Sequence, residues 1–314
     1  LDPKRQRLEY KSAIRMHEQG GWTFQYDVEL ERPLELIPGK TYSMEIYIDE
    51  SVMEVYVGGT TALSVRAYDL HDRKFGLAVS DGKVRFENIQ LTTMEGERMS
   101  LYFRPEKAVL GDVIPYYDNG VFKPFYLRNY RANRDEQHQD SWVMLSTTDH
   151  IHYTEHDTKI VGGTGSVIKV DGLYHMFYCT FQKLPEKNYM NHAVSTDLDV
   201  WTEIPEDRFA SDDVIYEPIH WRDPFVFWSE EENCWWMIFA AQKKGKTTRR
   251  GCVGLCKSKD LHHWDYCEPF YAPMNAQCAF ECPDFFRMGD WYYLVFSSYA
   301  DRYQTMYRMS RSPY

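Results

Sequence analysis

Tyr42, Met44, Ile46 and Ile48 alternate with Ser43, Glu45 and Tyr47, a period of two that predicts a strand with one face in a core and one in water. Asp49-Glu50-Ser51 then turns the chain into a second strand, Val52 to Val57, closed by Gly58-Gly59. That is a hairpin signal. Phe75 to Val79, the Asp81-Gly82 turn and Val84 to Leu91 repeat the arrangement. The pattern predicts an antiparallel β-sandwich over residues 1–98.

From residue 101 the grain changes and an internal repeat emerges. Asp118-Asn119-Gly120 precedes an apolar strand Val121 to Tyr126, and Asp171-Gly172 precedes Leu173 to Tyr178. Glu231-Glu232-Asn233 precedes Cys234 to Ala240, and Gly289-Asp290 precedes Trp291 to Ser297. A second strand and a loop of common form follow each. The loops begin Thr147-Thr148-Asp149-His150, Ser195-Thr196-Asp197-Leu198 and Ser258-Lys259-Asp260-Leu261, and a fourth begins at Ser310. Hairpins repeating at about 50–60 residues are the signature of a β-propeller. The reading is therefore an all-β chain, a sandwich at 1–98 and a propeller at 101–314 of which about four blades are present.

Composition narrows the classes. With 47 acidic against 36 basic side chains, the net charge is −11, which argues against nucleic acid as a partner, since binding phosphate requires a basic face. No apolar run approaches the ~18 residues of a membrane span. Aromatic residues make up 16% of the chain, a surplus that suits short strands and sugar-stacking clefts. The seven cysteines all lie between Cys179 and Cys282. Their odd number, and a start without an apolar leader, point to a reducing, cytoplasmic setting, with secretion left open. No Cys/His cluster has zinc-ligand spacing, and His262-His263 reads as a surface pair. The basic run Lys243 to Arg250 reads as a solvated hairpin loop, a site for an anionic substrate such as a sugar phosphate being the lesser alternative.

Propellers place their chemistry on loops and inner strand ends around the central channel. Three acids stand just before a strand in three successive repeats: Asp112 in Gly111-Asp112-Val113, Asp223 in Arg222-Asp223-Pro224, and Glu281 in Glu281-Cys282-Pro283-Asp284. Singly, each reads as a turn residue. As an equivalent set, they can converge, and two close carboxyls suffice for glycoside hydrolysis.

These blocks resemble glycoside hydrolase family 32, the invertase, inulinase and levanase family. Val161-Gly162-Gly163-Thr164-Gly165-Ser166 is similar to its Ser-Gly-Ser block, and the Ser-x-Asp-Leu loops to its recurrent blade loop. The resemblance spans residues 101–314, and the first domain resembles the sandwich that follows the propeller in that family, here placed before it. It implies a five-bladed propeller and a retaining hydrolase of fructosyl saccharides. Asp112 would be the nucleophile, Glu281 the acid/base, and Asp223 the third catalytic acid, while Arg222, Ser166, Cys282 and Trp142 would line the sugar site. No metal or cofactor is implied. A related propeller glycosidase such as an arabinosidase, and a non-catalytic carbohydrate-binding propeller, are the alternatives. Val109-Leu110-Gly111-Asp112-Val113-Ile114-Pro115 departs from the family's Trp-Met-Asn-Asp-Pro-Asn-Gly in all but the acid.

Overall fold

The computed structural model describes residues 1–18, 21–49, 51–66, 76–80, 82–92, 103, 105, 108–129, 140–181, 187–247, 249–274, 279–298 and 304–313, with main chain alone for 12–29 and 304. The chain divides into two compact units, Leu1–Leu101 and Tyr102–Tyr314.

In the first unit, β1 (Arg7–Glu18) and β2 (Gly21–Pro33) form a long antiparallel ladder. A three-stranded meander joins β3 (Met44–Asp49), β4 (Val52–Val57) and β5 (Thr61–Arg66). Leu8 and Leu34 from the ladder segment close on Val57, Leu63 and Val65 to make the core. The β3–β4 hairpin has the register the alternation predicts, Met44 opposite Val57. Its buried face lies elsewhere: Met44, Ile46 and Ile48 are exposed on the edge strand β3, while β4 and β5 carry the core. The second expected hairpin is not formed in the described residues 76–80 and 82–92, which hold no strand and expose Leu77, Val79, Val84, Phe86, Ile89 and Leu91; Phe75 and Asp81 lie outside the described residues. Alternation gives a segment the right faces, but a strand exists only where a neighbour completes its hydrogen bonds.

The second unit is a succession of antiparallel sheets. The first contains β6 (Val109–Ile114), β9 (Phe125–Asn129), β10 (Ser141–Ser146) and β11 (Thr154–Val161), while β7 (Tyr117–Asp118) and β8 (Val121–Phe122) form a separate hairpin. The expected strand from Val121 to Tyr126 is thus broken at Lys123-Pro124, where proline has no N–H to give a ladder. The second sheet contains β12 (Gly165–Val170), β13 (Leu173–Thr180), β14 (Tyr189–Ser195), β15 (Thr202–Glu203) and β16 (Phe209–Ala210). The third contains β17 (Tyr216–Ser229), β18 (Cys234–Lys243), β19 (Gly251–Ser258) and β20 (Asp265–Tyr271). The fourth contains β21 (Glu281–Met288), β22 (Trp291–Ser298) and β23 (Gln304–Ser310). Among the described residues the helical content is a single 3-10 turn, Pro205–Asp207, and no helix is long and apolar enough to cross a membrane.

Each sheet shares a core with the next. Phe125, Trp142 and Met144 of the first pack on Tyr174, Met176 and Tyr178 of the second. Phe177, Cys179 and Met190 of the second pack on Trp221, Met237 and Phe239 of the third. Trp236 and Ile238 of the third turn the other way, toward Phe280, Leu294 and Phe296 of the fourth. Neighbours in sequence thus serve opposite interfaces, as a pleat requires, and the aromatic surplus fills the gaps between sheets.

The common loop has one hydrogen-bonding plan. Ser195 Oγ accepts from the main-chain N–H of Asp197 and Leu198, and Asp197 Oδ1 accepts from those of Asp199 and Val200. Ser258 with Asp260, and Thr147 with Asp149, repeat the plan bond for bond. The fourth position, His150, Leu198 or Leu261, takes a left-handed φ of 60, 72 or 68°. The repeat is legible in sequence because this turn is built from local side-chain-to-backbone bonds.

Candidate active site

Three β-bulges build the site. In β6 the register slips between Gly111 and Val113, in β17 between Arg222 and Phe225, and in β21 between Glu281 and Asp284. Asp112, Asp223 and Cys282 are bulge residues, and Glu281 flanks the third bulge. A bulge re-aims a side chain and ends pairing at a sheet margin. Pro224 and Pro283 lie inside two of them, at positions where a missing N–H breaks no ladder bond. Asp223 and Cys282 have φ of 57 and 48°, a left-handed conformation unusual for residues with a Cβ and held here by the surroundings.

The bulges bring the expected acids together. Asp223, 5% exposed, accepts the main-chain N–H of Cys282 at Oδ2 over 3.0 Å. Arg222 points its Nη2 at Glu281 Oε1, 2.5 Å away, its Nε lies 3.7 Å from Asp223 Oδ2, and its Nη1 donates to His220 Nδ1 at 3.0 Å. One guanidinium therefore spans two carboxylates from adjacent sheets, using the fork geometry that lysine lacks. Asp112 is exposed, and its Oδ2 accepts a hydrogen bond from Thr164 Oγ1.

Burial pushes the Asp223 carboxyl up to about 6, against the opposing pull of Arg222 and the Cys282 N–H, and the charges of Glu281 and Asp112 push the same way as burial. Both other acids thus act on Asp223. Arg222 loses hydration by burial, but the charges of Asp223 and Glu281 more than offset this and raise its pKa. The Cys282 thiol is pushed up by burial, and then by Asp223, Asp112 and Glu281. It remains a thiol, and both its main-chain N–H and its Sγ, 3.9 Å away, donate to Asp223 Oδ2.

Two of the expected sugar-lining residues are placed elsewhere. Ser166 is 3% exposed, and its Oγ accepts the Val226 main-chain N–H at 3.0 Å, tying the second sheet to the third. Trp142 is fully buried in the core between the first and second sheets, and its Nε1 donates to the Gly163 carbonyl over 3.0 Å. Neither presents a surface to a ligand; Trp142 supports the glycine loop instead.

That loop carries the residue the motif reading passed over. Thr164, not Ser166, meets the nucleophile candidate. Its flanking glycines are required by close approach: a Cβ would lie 2.6 Å from Tyr178 at Gly162, 2.7 Å from Cys179 Sγ at Gly163, and 1.8 Å from the Phe177 carbonyl at Gly165. The signal available in sequence was a lone hydroxyl between glycines that press the loop onto β13. His220, the partner of Arg222, carried no comparable signal. Thr164→Val should lower turnover about tenfold to hundredfold, the cost of one hydrogen bond to a charged group, while Thr164→Ser retains most of it; steady-state kinetics on both variants reads this directly.

Three of the five basic residues in the run are ion-paired among the described residues. Lys243 pairs with Glu268, Lys244 with Glu217 and Asp213, and Arg250 with Glu217. Six cysteines among the described residues are free thiols, and both Cys282 and Cys179 lie beside the acids.

Successive sheets joined through shared cores, with acids on their bulged edge strands, define an all-β architecture of the propeller type. Solved structures share it: the Bombyx mori GH32 beta-fructofuranosidase (TM-score 0.54, 19% identity, 66% of this chain and 47% of that one) and the Bacillus subtilis levansucrase (TM-score 0.53, 14% identity, 66% and 69%). The model of the glycosyl hydrolases family 32 N-terminal domain matches residues 102–313, and that of the family 32 C-terminal domain matches residues 15–93, ahead of it in the chain. The chain belongs to glycoside hydrolase family 32. Among curated relatives, the sucrose-6-phosphate hydrolase of Escherichia coli is 34% identical over 112 residues, 31% of this chain and 22% of that protein. The raffinose invertase of Escherichia coli is 26% identical over 198 residues, 58% of this chain and 39% of that protein. The chain thus spans well under half the length of these relatives.

Proposed function

We propose that this protein hydrolyses fructosyl-containing saccharides, sucrose or a fructan, with retention at the anomeric carbon. Asp112 attacks the anomeric carbon while Glu281 gives its proton to the leaving oxygen; Glu281 then takes a proton from water, whose oxygen displaces Asp112. Asp223 and Arg222 hold the sugar hydroxyls, most tightly when the ring carries oxocarbenium charge. The observation that carries this reading is the buried Asp223 carboxyl, bonded to the Glu281–Cys282 bulge and within electrostatic reach of Asp112 as well. The names of the E. coli and Bombyx mori relatives support the substrate class. A five-bladed ring is part of the proposal, supported by the apolar outer face of the fourth sheet, where Phe286, Met288, Tyr307 and Met309 are exposed. A reducing compartment suits the free thiols.

The test is sugar release from sucrose, inulin, levan and an aryl arabinofuranoside, with the first-formed anomer followed by NMR. Release of fructose in the retained configuration is expected. Arabinose release, or an inverted product, replaces this reading with a related glycosidase, and saccharide binding without release replaces it with a binding module.

A further inference from the structure

We propose that this protein carries a transition-metal site outside its acid cluster, formed by His192, Asp207 and His262 and suited to zinc or nickel. The three come from distant parts of the chain. His192 lies on β14, Asp207 ends the 3-10 turn Pro205–Asp207, and His262 belongs to the common loop between β19 and β20. The site therefore joins the second sheet to the third.

The donor atoms converge. His192 Nδ1 lies 2.6 Å and His262 Nδ1 2.7 Å from the same Asp207 oxygen, Oδ2. One ligand atom from each residue falls within 4.8 Å of the other two. Two imidazoles and a carboxylate form a borderline donor set that selects zinc, nickel or copper over magnesium or calcium, which take oxygen. In the metal-free arrangement one carboxylate oxygen accepts two ring N–H groups. Metal–ligand bonds of ~2.0–2.1 Å set tetrahedral donors about 3.3 Å apart, so His192 and His262 must each draw back from Asp207 by somewhat over half an ångström.

The surroundings are those of a held ligand. His192 is 1% exposed, and its ring stacks on Phe177 at 4.4 Å between centroids. Its other nitrogen, Nε2, lies 2.9 Å from Nδ1 of the buried His175. A hydrogen-bond partner on the far ring nitrogen fixes the orientation and tautomer of a metal-bound imidazole. His262, 44% exposed, gives the ion a path from solvent and leaves room for water to complete the coordination. Its neighbour His263 points away, to Asp260, and is 91% exposed. The sequence hides the site because the ligands lie 15 and 55 positions apart, far from any zinc-finger spacing.

The test is isothermal titration calorimetry of tag-free, chelator-treated protein with zinc chloride and with nickel chloride, alongside magnesium chloride. One equivalent of zinc or nickel should bind and raise Tm, with no heat from magnesium. His262→Ala should weaken binding at least tenfold, His263→Ala should leave it unchanged, and both variants should retain the sugar release of the parent. His175→Gln should weaken binding by about 10–100-fold, because it alters the hydrogen bond that orients the His192 ring. Absence of stoichiometric binding, or binding untouched by His262→Ala in a variant with the parent's circular dichroism spectrum, overturns the site and leaves the cluster a hydrogen-bonded clamp between sheets.

Discussion

Asp112→Asn should lower kcat for fructose release by about 10⁴-fold or more, the scale seen when a catalytic nucleophile is removed, and a better leaving group should not restore it. Glu281→Gln should lose a similar factor on sucrose, yet recover much of it on an aryl fructoside. The contrast follows from the assigned roles. A phenolate departs without a proton, so the first step no longer needs Glu281, whereas nothing replaces the carbon–oxygen bond that Asp112 makes. In Glu281→Gln the second step stays slow because no base activates water, so the aryl fructoside should give a burst of phenol equal to the enzyme present, followed by a slow steady state. The structure makes the comparison clean at one end: Asp112 is exposed and held by one hydroxyl, so its amide fits with little disturbance. At the other end Glu281 is the ion-pair partner of Arg222, and its amide still accepts from the guanidinium. Equal losses on both substrates for both variants would remove the distinction between nucleophile and acid/base.

How much of this was legible follows from how local each signal is. The blade loops were readable because Ser-x-Asp wires its own turn, as Ser195 and Ser258 do. The acids stood out as a set because Asp112, Asp223 and Glu281 recur at one place in three repeats, and the prolines at 224 and 283 mark two of the three bulges at which they stand. Period-two alternation, by contrast, gives two faces without saying which one is covered. Ile46 and Ile48 alternate correctly and lie in water, and the stretch 84–91 alternates without becoming a strand. Trp142 failed for the same reason: an aromatic ring in a strand serves a core or a cleft, and only the neighbouring sheet decides. In the Gly162–Ser166 loop the motif was recognised but its register slipped by two positions, because same-face neighbours in an extended chain are two apart. The Thr164 hydroxyl, two places before Ser166, is the one that faces Asp112. The 192–207–262 cluster depends wholly on packing between sheets and left no trace in local spacing.

Asp223→Asn should stabilise the protein at neutral pH while abolishing most of its activity. The Asp223 carboxyl titrates near 6 in the fold against an ordinary 3.8, so the native state binds its proton more tightly than the unfolded chain does. The stability this proton provides is complete below pH ~3.8 and is lost as the pH rises through 6. At pH 7.5 the ionised, buried carboxylate costs about 3 kcal/mol, two pKa units at 1.36 kcal/mol each. Asparagine keeps the shape and still accepts the Cys282 N–H through its amide oxygen, while Arg222 keeps its pair with Glu281. Tm should therefore rise by several degrees at pH 7.5, and the gain should shrink toward zero at pH 4. Turnover should fall by about 10²-fold or more, because a charge-assisted hydrogen bond to the sugar is lost. A site that tolerates this cost keeps a carboxylate where charge develops in the transition state, a stability–function exchange common at active sites. If the gain in Tm were the same at both pH values, packing rather than ionisation would be its source. A loss of Tm at pH 7.5 would mean that the ionised Asp223 is, on balance, held by Arg222 more strongly than burial opposes it.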